Sequence, residues 1–363
     1  MKRCCTGGWV ERLEARRLLS AGELDATFGA GGKVVLNMAG ASLPVAAVQA
    51  DGKTVLAGKT STNKLVVVRL NRDGSLDQGF GAGGMVYSSR LGNGLPRVLI
   101  DRLNERIYAY DGSTILAFGD KGTLDKSFSG DGVLAAPEYG AVPRSALAVA
   151  PDGSLLFAYT RWEEREGAQT IALRRYGADG KLDLTFGRAG VTALPTEKTD
   201  SWGPAESIAI DHSGSIFVEG DRNRYRQIMR LSSNGIIDAN FGFASGSLLF
   251  DATNWRRSIM TGVDDQGAVM VVSGGLVRWT RSGQRQVLFD QAGAMAAPLQ
   301  PDGKPIMVFG RNYSGTRVVK GHPDPQFHDV KWDVYGESEG VAMSAEGSLI
   351  LAGTDVLTDR ESA

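Results

Sequence analysis

The chain of 363 residues contains very little cysteine and histidine. Its two cysteines, Cys4 and Cys5, are adjacent and precede every repeated segment, so they provide neither a disulfide framework nor a thiolate metal site. The three histidines form no His-Glu-x-x-His pattern, and the chain has no phosphate-binding loop. We therefore expect no metal and no cofactor.

The sequence also lacks a charge excess and a long apolar run. The formal net charge is -1, which gives the whole chain no field that would attract nucleic acid. No apolar run approaches the roughly 20 residues that a membrane-spanning helix needs, so we expect no transmembrane segment. Hydrophobic residues make up 42% of the chain, which is enough for a packed core.

What the chain does contain is a repeated segment with the pattern Leu-Asp-x-x-Phe, hereafter the repeat block; the last copy has Ile in place of Leu. The five copies place their aspartates and phenylalanines at Asp25, Phe28, Asp77, Phe80, Asp125, Phe128, Asp183, Phe186, Asp238 and Phe241. Successive aspartates are 52, 48, 58 and 55 residues apart. A catalytic group is needed only once, so one copy per unit favours structural roles: a turn-capping Asp and a core Phe between units.

Each unit also contains a hairpin pattern, in which two short apolar runs flank an Asp-Gly-type turn such as Asp51-Gly52 or Asp152-Gly153. Such runs are a strong local indication of a β-hairpin. A third strand, the repeat block and a fourth strand follow. Four short strands in a period near fifty residues predict an all-β fold, a seven-bladed β-propeller of four-stranded antiparallel blades.

The order of the strands predicts how this ring closes. The chain begins with a third and a fourth strand and ends with a first and a second, so residues 16–37 are expected to complete the blade begun by residues 340–353. This closure by N- and C-terminal strands in one blade would remove an exposed sheet edge. We expect one propeller domain over residues 15–355, a sorting-like or disordered segment at 1–14 and a disordered tail at 356–363.

The repeat block, together with Asp-Gly-Lys-x-x-x-Ala-Gly at residues 51–58, resembles the delta-60 repeat family of bacterial exported proteins. Residues 11–21 are similar to the LEPR-x-LL segment at the start of planctomycete-type surface proteins, with Ala15 in place of Pro. These resemblances imply export and an extracellular or cell-surface location, without a standard signal peptide. The family pattern supplies no catalytic residue that could be transferred to this chain.

A second regularity links each third strand to its repeat block. An arginine lies eight residues before the block aspartate in four units, at Arg17, Arg69, Arg175 and Arg230. We predict that each arginine packs under the turn and binds the aspartate or the turn carbonyls. At the same spacing Ala117 precedes Asp125 and Arg278 precedes Gln286, so those two units cannot form the Arg–Asp pair.

The functional surface is predicted from the connections between strands. In a meander, alternate connections share one face, and only the face opposite the repeated turns varies in length and composition. Its loops are rich in aromatic side chains and arginine, which are typical of binding hot spots and stack on sugar rings. The predicted ligand-binding residues are Trp162, Trp202, Tyr225, Trp255 and Tyr313, with Arg224 and Arg256 as polar anchors.

From these features the sequence favours a non-enzymatic binding or scaffold module of an exported or cell-surface protein. We expect a monomer that binds a carbohydrate or a protein ligand on the variable face, and an enzyme is the less favoured interpretation. The alternative is a propeller enzyme, a polysaccharide lyase or hydrolase or a lactonase, which would require convergent loop carboxylates with separated titration. A third interpretation is a structural spacer in a larger surface array.

Overall fold

The computed structural model describes residues 24–36, 38, 42–91, 96–111, 114–135, 145–163, 167–195, 202–222, 225–242, 246–251, 259–264, 266–272, 275–290, 294–297, 305–309, 314–319, 322–323, 330–331, 337–343 and 349–354. Within these residues every regular element is a β-strand, and no helix occurs. None of the described segments is a helix long and apolar enough to cross a membrane. The predicted terminal segments, residues 1–14 and 356–363, lie outside the described residues.

The strands form antiparallel sheets that follow one another along the chain, numbered here in chain order. The first sheet contains β1 (Ser42–Val48), β2 (Thr54–Lys59), β3 (Lys64–Leu70) and β4 (Met85–Leu91). The second contains β5 (Arg97–Asp101), β6 (Arg106–Tyr110), β7 (Thr114–Phe118) and β8 (Val133–Ala135). The third contains β9 (Ala146–Val149), β10 (Leu155–Glu163), β11 (Ala168–Tyr176) and β12 (Val191–Ala193).

The fourth sheet contains β13 (Trp202–Ile210), β14 (Ile216–Arg222), β15 (Tyr225–Leu231) and β16 (Ser247–Asp251). The fifth contains β17 (Ile259–Val263), β18 (Val269–Val272), β19 (Leu276–Trp279) and β20 (Arg285–Phe289). The sixth contains β21 (Ala294–Ala296), β22 (Ile306–Phe309) and β23 (Ser314–Val319), with β24 (His322–Pro323) and β25 (Val330–Lys331) both paired to β23. The last described sheet is the hairpin β26 (Glu337–Met343) and β27 (Leu349–Thr354).

The second strand of each complete sheet is buried on both faces, because a neighbouring sheet covers each face. In β2, Val55 and Ala57 pack with residues of the second sheet, whereas Leu56 between them packs with Ala352 of β27. Since successive side chains of a strand point to opposite faces, such strands read as continuous apolar runs. The core is therefore divided into layers between successive sheets.

The first strands of the sheets lie next to one another. In chain order β1 contacts β5, and contacts continue from β5 to β9, β13, β17 and β21. The series returns to its start, because β1 also contacts both β26 and β27. Successive four-stranded sheets joined in this way through their first strands are consistent with a β-propeller.

A repeated backbone joint connects neighbouring sheets. The residue after the block phenylalanine donates its amide to a carbonyl in the next sheet, in the turn between the third and fourth strands. Gly81 donates to Lys121 at 2.9 Å and Gly187 donates to Asn234 at 2.8 Å. The N-terminal repeat block makes the same joint, since the amide of Gly29 donates to Asp73 of the first sheet at 2.6 Å.

The segment that was predicted to close the ring as a strand is not a strand in the structure. Residues 34–36 belong to no described strand and pair with neither β1 nor β27, although Val34 and Leu36 pack in the same cluster as Ala352. The repeat block of residues 24–28 is thus held to the first sheet by its turn joint and apolar packing. The predicted third strand around Arg17 lies outside the described residues.

Candidate functional site

The two ends of the sheets differ in chemistry. The connections between first and second strands, and between third and fourth strands, lie at one end, here the turn end. The connections between second and third strands, and the passages to the next sheet, lie at the other, here the variable end. This division follows from the meander order of every complete sheet.

At the turn end each block aspartate caps its own turn. The carboxylate of Asp77 accepts the amide of Gly79 at 3.0 Å, and that of Asp183 accepts the amide of Thr185 at 2.9 Å. The same contact two residues on occurs for Asp25, Asp125 and Asp238. Four block phenylalanines, Phe80, Phe128, Phe186 and Phe241, are fully buried, and Phe28 is partly buried.

The predicted arginine–aspartate contact is confirmed in three units. Arg69 Nε donates to Asp77 Oδ2 at 2.8 Å and Arg175 Nε donates to Asp183 Oδ2 at 2.7 Å, while Arg230 Nη1 donates to Asp238 Oδ2. Each guanidinium also stacks on an aromatic ring, as when Arg69 Cζ lies 4.6 Å from the centre of Phe80.

In the two units without the predicted pair, other residues replace the Arg–Asp contact. Asp125 is bound by Arg106 Nε at 2.7 Å, and Arg106 comes from the second strand rather than the third. In the fifth sheet Arg278 Nη1 donates to the neutral side-chain oxygen of Gln286 at 2.9 Å, and Arg278 Nε donates to Asp264 at 2.6 Å. The turn end is therefore a ring of buried or half-buried charge pairs with a structural function.

Hydrogen bonding sets the protonation of these aspartates. Burial alone would raise the pKa of Asp77, but hydrogen bonds from Lys53 and the amide of Gly79, with the charge of Arg69, lower it below the usual value. The pKa of Asp183 is lowered chiefly by the hydroxyl of Thr185, against the opposing effect of burial. The aspartates are thus ionised partners rather than proton-transfer groups at neutral pH.

Three of the predicted aromatic residues lie together at the variable end. Trp162 is the penultimate residue of β10, Trp202 begins β13 and Tyr225 begins β15. The backbones of Trp202 and Tyr225 both pair with Arg222. Thr160, close to Trp162, donates its hydroxyl to the carbonyl of Gly203 at 3.1 Å, which joins the two sheets at this end.

The side chains of Trp162 and Tyr225 face the cleft between the third and fourth sheets. Trp162 shares its strand face with Leu156 and Ala158, and Tyr225 shares its face with Met229 and Leu231, all in the one core between these sheets. Trp162 is 56% exposed and Tyr225 is 46% exposed. The remaining predicted site residues, Arg224, Trp255, Arg256 and Tyr313, lie outside the described residues.

The sequence did not single out a group of charged residues on the other face of the fourth sheet. A β-bulge in β13 places this group of charged residues. Ala205 pairs with Gly220 and the next pairing joins Ser207 to Glu219. Glu206 is therefore the extra residue of the bulge. A β-bulge redirects the side chains that follow or precede it. Ile208 packs toward the third sheet, whereas the carboxylate of Glu206 reaches Arg226, which lies on the face toward the fifth sheet.

Two carboxylates contact this arginine. Arg226 Nε lies 2.9 Å from Asp221 Oδ1, and Arg226 Nη1 lies 3.8 Å from Glu206 Oε1. The Arg226 side chain is 9% exposed, that of Glu206 is 16% exposed and that of Asp221 is 37% exposed. Asp221 is therefore partly exposed to solvent, whereas Glu206 and Arg226 are largely buried.

A third carboxylate, Glu219, has no exposure. Its Oε2 accepts the hydroxyl of Ser207 at 2.7 Å and the amide of Met260 in β17 at 2.8 Å. Burial raises the pKa of Glu219, although these two hydrogen bonds and the charge of Arg226 favour its ionised form. Glu219 links the fourth and fifth sheets directly below Glu206 and Asp221.

One indication in the sequence could have found this group. Glu219 and Asp221 interrupt the apolar run of β14, Ile-Phe-Val-Glu-Gly-Asp-Arg, where a covered strand is expected to be apolar throughout. The contribution of Glu206 could not be found in this way, because a bulge depends on pairing register. Among the described residues no group of three or more His, Cys, Asp or Glu side chains could hold a metal ion.

Comparison with known proteins agrees with the fold. Residues 49–80 match the family described as a domain of unknown function (DUF5122) beta-propeller, which supports a β-propeller repeat family. The narrower resemblances to delta-60 repeats and to the LEPR-x-LL segment stay predictions. No curated protein matches the chain.

Two similar solved structures are a gluconolactonase from Xanthomonas campestris and the calcium-binding protein regucalcin from Agrobacterium tumefaciens str. C58. The first is 12% identical, covers 88% of this chain and 96% of its own, and has a TM-score of 0.42. The second is 14% identical, covers 74% of this chain and 84% of its own, and has a TM-score of 0.45.

The comparisons contradict the preferred prediction of a non-enzymatic binding or scaffold module and the expectation that an enzyme is the less favoured interpretation. They agree better with the alternative, a propeller enzyme. At this identity and these TM-scores, neither protein assigns its own reaction or ligand to this chain. The case for a particular reaction must come from the residues of the variable end.

Proposed function

We propose that this protein is an enzyme that cleaves a lactone or glycosidic bond in a carbohydrate-type substrate at the variable end of the fourth sheet. The observation that supports it is that Glu206 and Asp221 both contact Arg226 with different exposure, while a third carboxylate of the same sheet, Glu219, is fully buried. Acid–base catalysis by two carboxyl groups requires that their environments differ, and burial is one way to make them differ.

The roles follow from exposure and contact. Asp221 is the most exposed of the three and is held by Arg226, so it is placed to accept a proton from an attacking water. Glu206, on the bulge, is the partner that exchanges a proton with the leaving oxygen. Glu219 contacts no solvent and acts as a positioning residue, because its bonds to Ser207 and Met260 fix the bulged strand.

The aromatic residues supply a surface for the substrate. Trp162 and Tyr225 face one cleft at the same end of the fourth sheet, and exposed aromatic rings stack on the apolar faces of sugars. Trp202 belongs to β13, the strand that carries the bulged Glu206. The carboxylates lie on the face of this sheet opposite the aromatic cleft, so a substrate that contacts both groups crosses the end of the sheet. The predicted residues Arg224, Trp255, Arg256 and Tyr313 lie outside the described residues, and we propose them for the same binding surface.

The proposal is tested with a panel of sugar lactones, aryl glycosides and polysaccharides, followed by acid release or reducing ends. We expect turnover of at least one substrate, and a loss of kcat of about 10²–10⁴ in Glu206→Gln and in Asp221→Asn. Trp162→Ala should raise KM and leave the melting temperature unchanged. The matched control is Asp131→Asn, an exposed turn carboxylate of the second sheet, which should keep full activity.

Two outcomes would refute the proposal. One is the absence of turnover across the panel by protein that is folded by circular dichroism. The other is turnover that survives both carboxylate substitutions, since activity would then arise elsewhere or from a contaminant.

We further propose that the sheets form a closed seven-bladed ring, with the N-terminal repeat block completing the blade begun by β26 and β27. The joint from Gly29 to Asp73 and the packing of Ala352 with Leu56 support this closure. A monomer exported to the cell surface is the accompanying expectation. Removing residues 1–37 should lower the melting temperature by several degrees; no change in melting temperature would show that the block does not close the ring.

A further inference from the structure

The fifth sheet differs from the first four because it has no repeat block between its third and fourth strands. In the fourth sheet β15 ends at Leu231 and β16 begins at Ser247, and the block lies between them. In the fifth sheet β19 ends at Trp279 and β20 begins at Arg285. A tight turn closed by the amide of Thr280 and the carbonyl of Gln284 connects them directly.

An open cavity of about 440 Å³ lies at this end of the fifth sheet. Ligand pockets commonly fall between about 300 and 1,000 Å³, so its size suits a monosaccharide or a similar small molecule. The lining combines two guanidinium groups, two amides and two hydroxyls with no carboxylate, and consists of Asn240, Gln266, Ala268, Arg278, Thr280, Arg281 and Ser282.

Each of the two arginines has contacts that an anionic ligand can replace. Arg281 is 62% exposed, and its contact with Asp238 is long, at 3.4 Å. Arg278 keeps one short bond to Asp264, but its Nη1 and Nη2 donate to the neutral side-chain oxygens of Gln286 and Gln266, at 2.9 and 2.7 Å. An anion can replace these neutral oxygens without breaking the Arg278–Asp264 pair.

In the first, third and fourth sheets the arginine at this position binds the aspartate of its own repeat block. Arg69 and Arg175 are each bound by a block aspartate. Arg278 occupies the equivalent position, where Gln286 replaces the block aspartate. Its Nε is bound by Asp264, and its Nη1 and Nη2 donate to the neutral oxygens of Gln286 and Gln266. Guanidinium groups favour carboxylate and phosphate oxygens, and the amides and hydroxyls around them suit sugar hydroxyls.

We infer that this cavity is a second ligand site, separate from the variable end, and that it binds an anionic sugar through Arg278 and Arg281. The shared chemistry of the ligand is a carboxylate or phosphate on a hydroxyl-rich ring. The site does not depend on the proposed reaction, because it lies at the opposite end of the sheets.

The test is isothermal titration of the full chain at low salt with glucuronate, glucose 6-phosphate and glucose. We expect binding of one anionic probe, which identifies the carboxylate or the phosphate as the recognised group, and no binding of glucose. Arg281→Gln should weaken that binding at least about tenfold. Arg281 contributes to the fold through its backbone carbonyl, which accepts the amide of Gly242, so this substitution should leave the melting temperature unchanged.

Arg285→Gln is the matched control, since Arg285 is an exposed arginine of the adjacent strand that does not line the cavity. It should bind the probe as the unchanged protein does, and so should Asp221→Asn at the variable end. If Arg281→Gln destabilises the chain, Gln266→Leu tests the same cavity. No binding of either anion, equal binding of glucose, or equal weakening by Arg285→Gln would each overturn the inference.

Discussion

Replacing Arg69 by alanine should destabilise the protein more than any other single change at the turn end. Arg69 is only 2% exposed, although it is charged. Its guanidinium joins three groups: Asp77 of its own block at 2.8 Å, Asp120 of the next sheet at 2.8 Å, and the ring of Phe80 at 4.6 Å. Arg69→Ala therefore leaves a carboxylate without its main partner and opens a cavity beside Phe80.

The size of the effect follows from what remains. Breaking a buried ion pair from one side costs about 3–5 kcal/mol of unfolding free energy. Lys53 Nζ stays 3.1 Å from Asp77 Oδ2 and offsets part of that cost, so the lower end of the range applies. Asp120 has a side chain that is 70% exposed, and it returns to water at little cost. We expect a loss of about 3 kcal/mol from Arg69→Ala.

The assay is urea unfolding followed by tryptophan fluorescence, with Arg175→Ala and Arg188→Ala measured in parallel. The Arg175 and Asp183 side chains are 14% and 26% exposed, so we expect Arg175→Ala to cost about half as much as Arg69→Ala. Arg188 is exposed and should cost less than about 0.5 kcal/mol. If Arg69→Ala shifts the midpoint no more than Arg188→Ala does, the charge pair does not stabilise the fold.

Other predictions use matched substitutions. Gly122 and Gly130 both have positive φ, but a Cβ at Gly122 would lie 2.8 Å from the amide nitrogen of Gly81, whereas one at Gly130 would meet nothing within 4 Å; alanine at position 122 should therefore cost at least about 2 kcal/mol more by urea unfolding. The pKa of Asp183 in the folded protein is lowered from 3.8, so its contribution to the free energy of unfolding is present above that pH and is lost as the pH falls through the folded-state pKa. The stability of Asp183→Asn should therefore depend less on acid pH than that of the unchanged chain. Burial raises the pKa of Glu219, so stability should fall as the pH rises from the unfolded value of 4.5 toward the folded one, and Glu219→Gln should remove this slope. Glu219→Ala should instead lose about 2–3 kcal/mol, because two buried donors lose their acceptor.

The sequence predicted the turn end well because its contacts are local. Arg175 and Asp183 belong to one unit and are separated by a fixed number of residues, so a repeated spacing was sufficient to pair them. The same reasoning failed to identify the partner of Asp125, since Arg106 reaches the same place from a different strand. Side chains from different strands can reach the same carboxylate, and sequence spacing alone does not show which strand supplies the arginine.

The variable end was predicted only in part. Aromatic residues in loops of similar position were expected to share a face, and the described ones, Trp162, Trp202 and Tyr225, lie at one end of neighbouring sheets. The carboxylates were not predicted, because Glu206 is placed by a bulge in β13. Pairing register is a property of two strands together, and neither strand alone encodes which residue will be left over.

The contact of β1 with β26 and β27, which brings the last described sheet against the first, has a consequence for how the chain folds. Most joints connect segments that are close in sequence, such as Gly81 with Lys121, so they can form early and in any order. The packing of β1 against β26 and β27 is different, because it joins two ends of the chain with all the intervening sheets between them. Bringing these ends together carries the largest loop-closure entropy, so it should be the slow last step of folding, and this junction should separate first when the native protein opens.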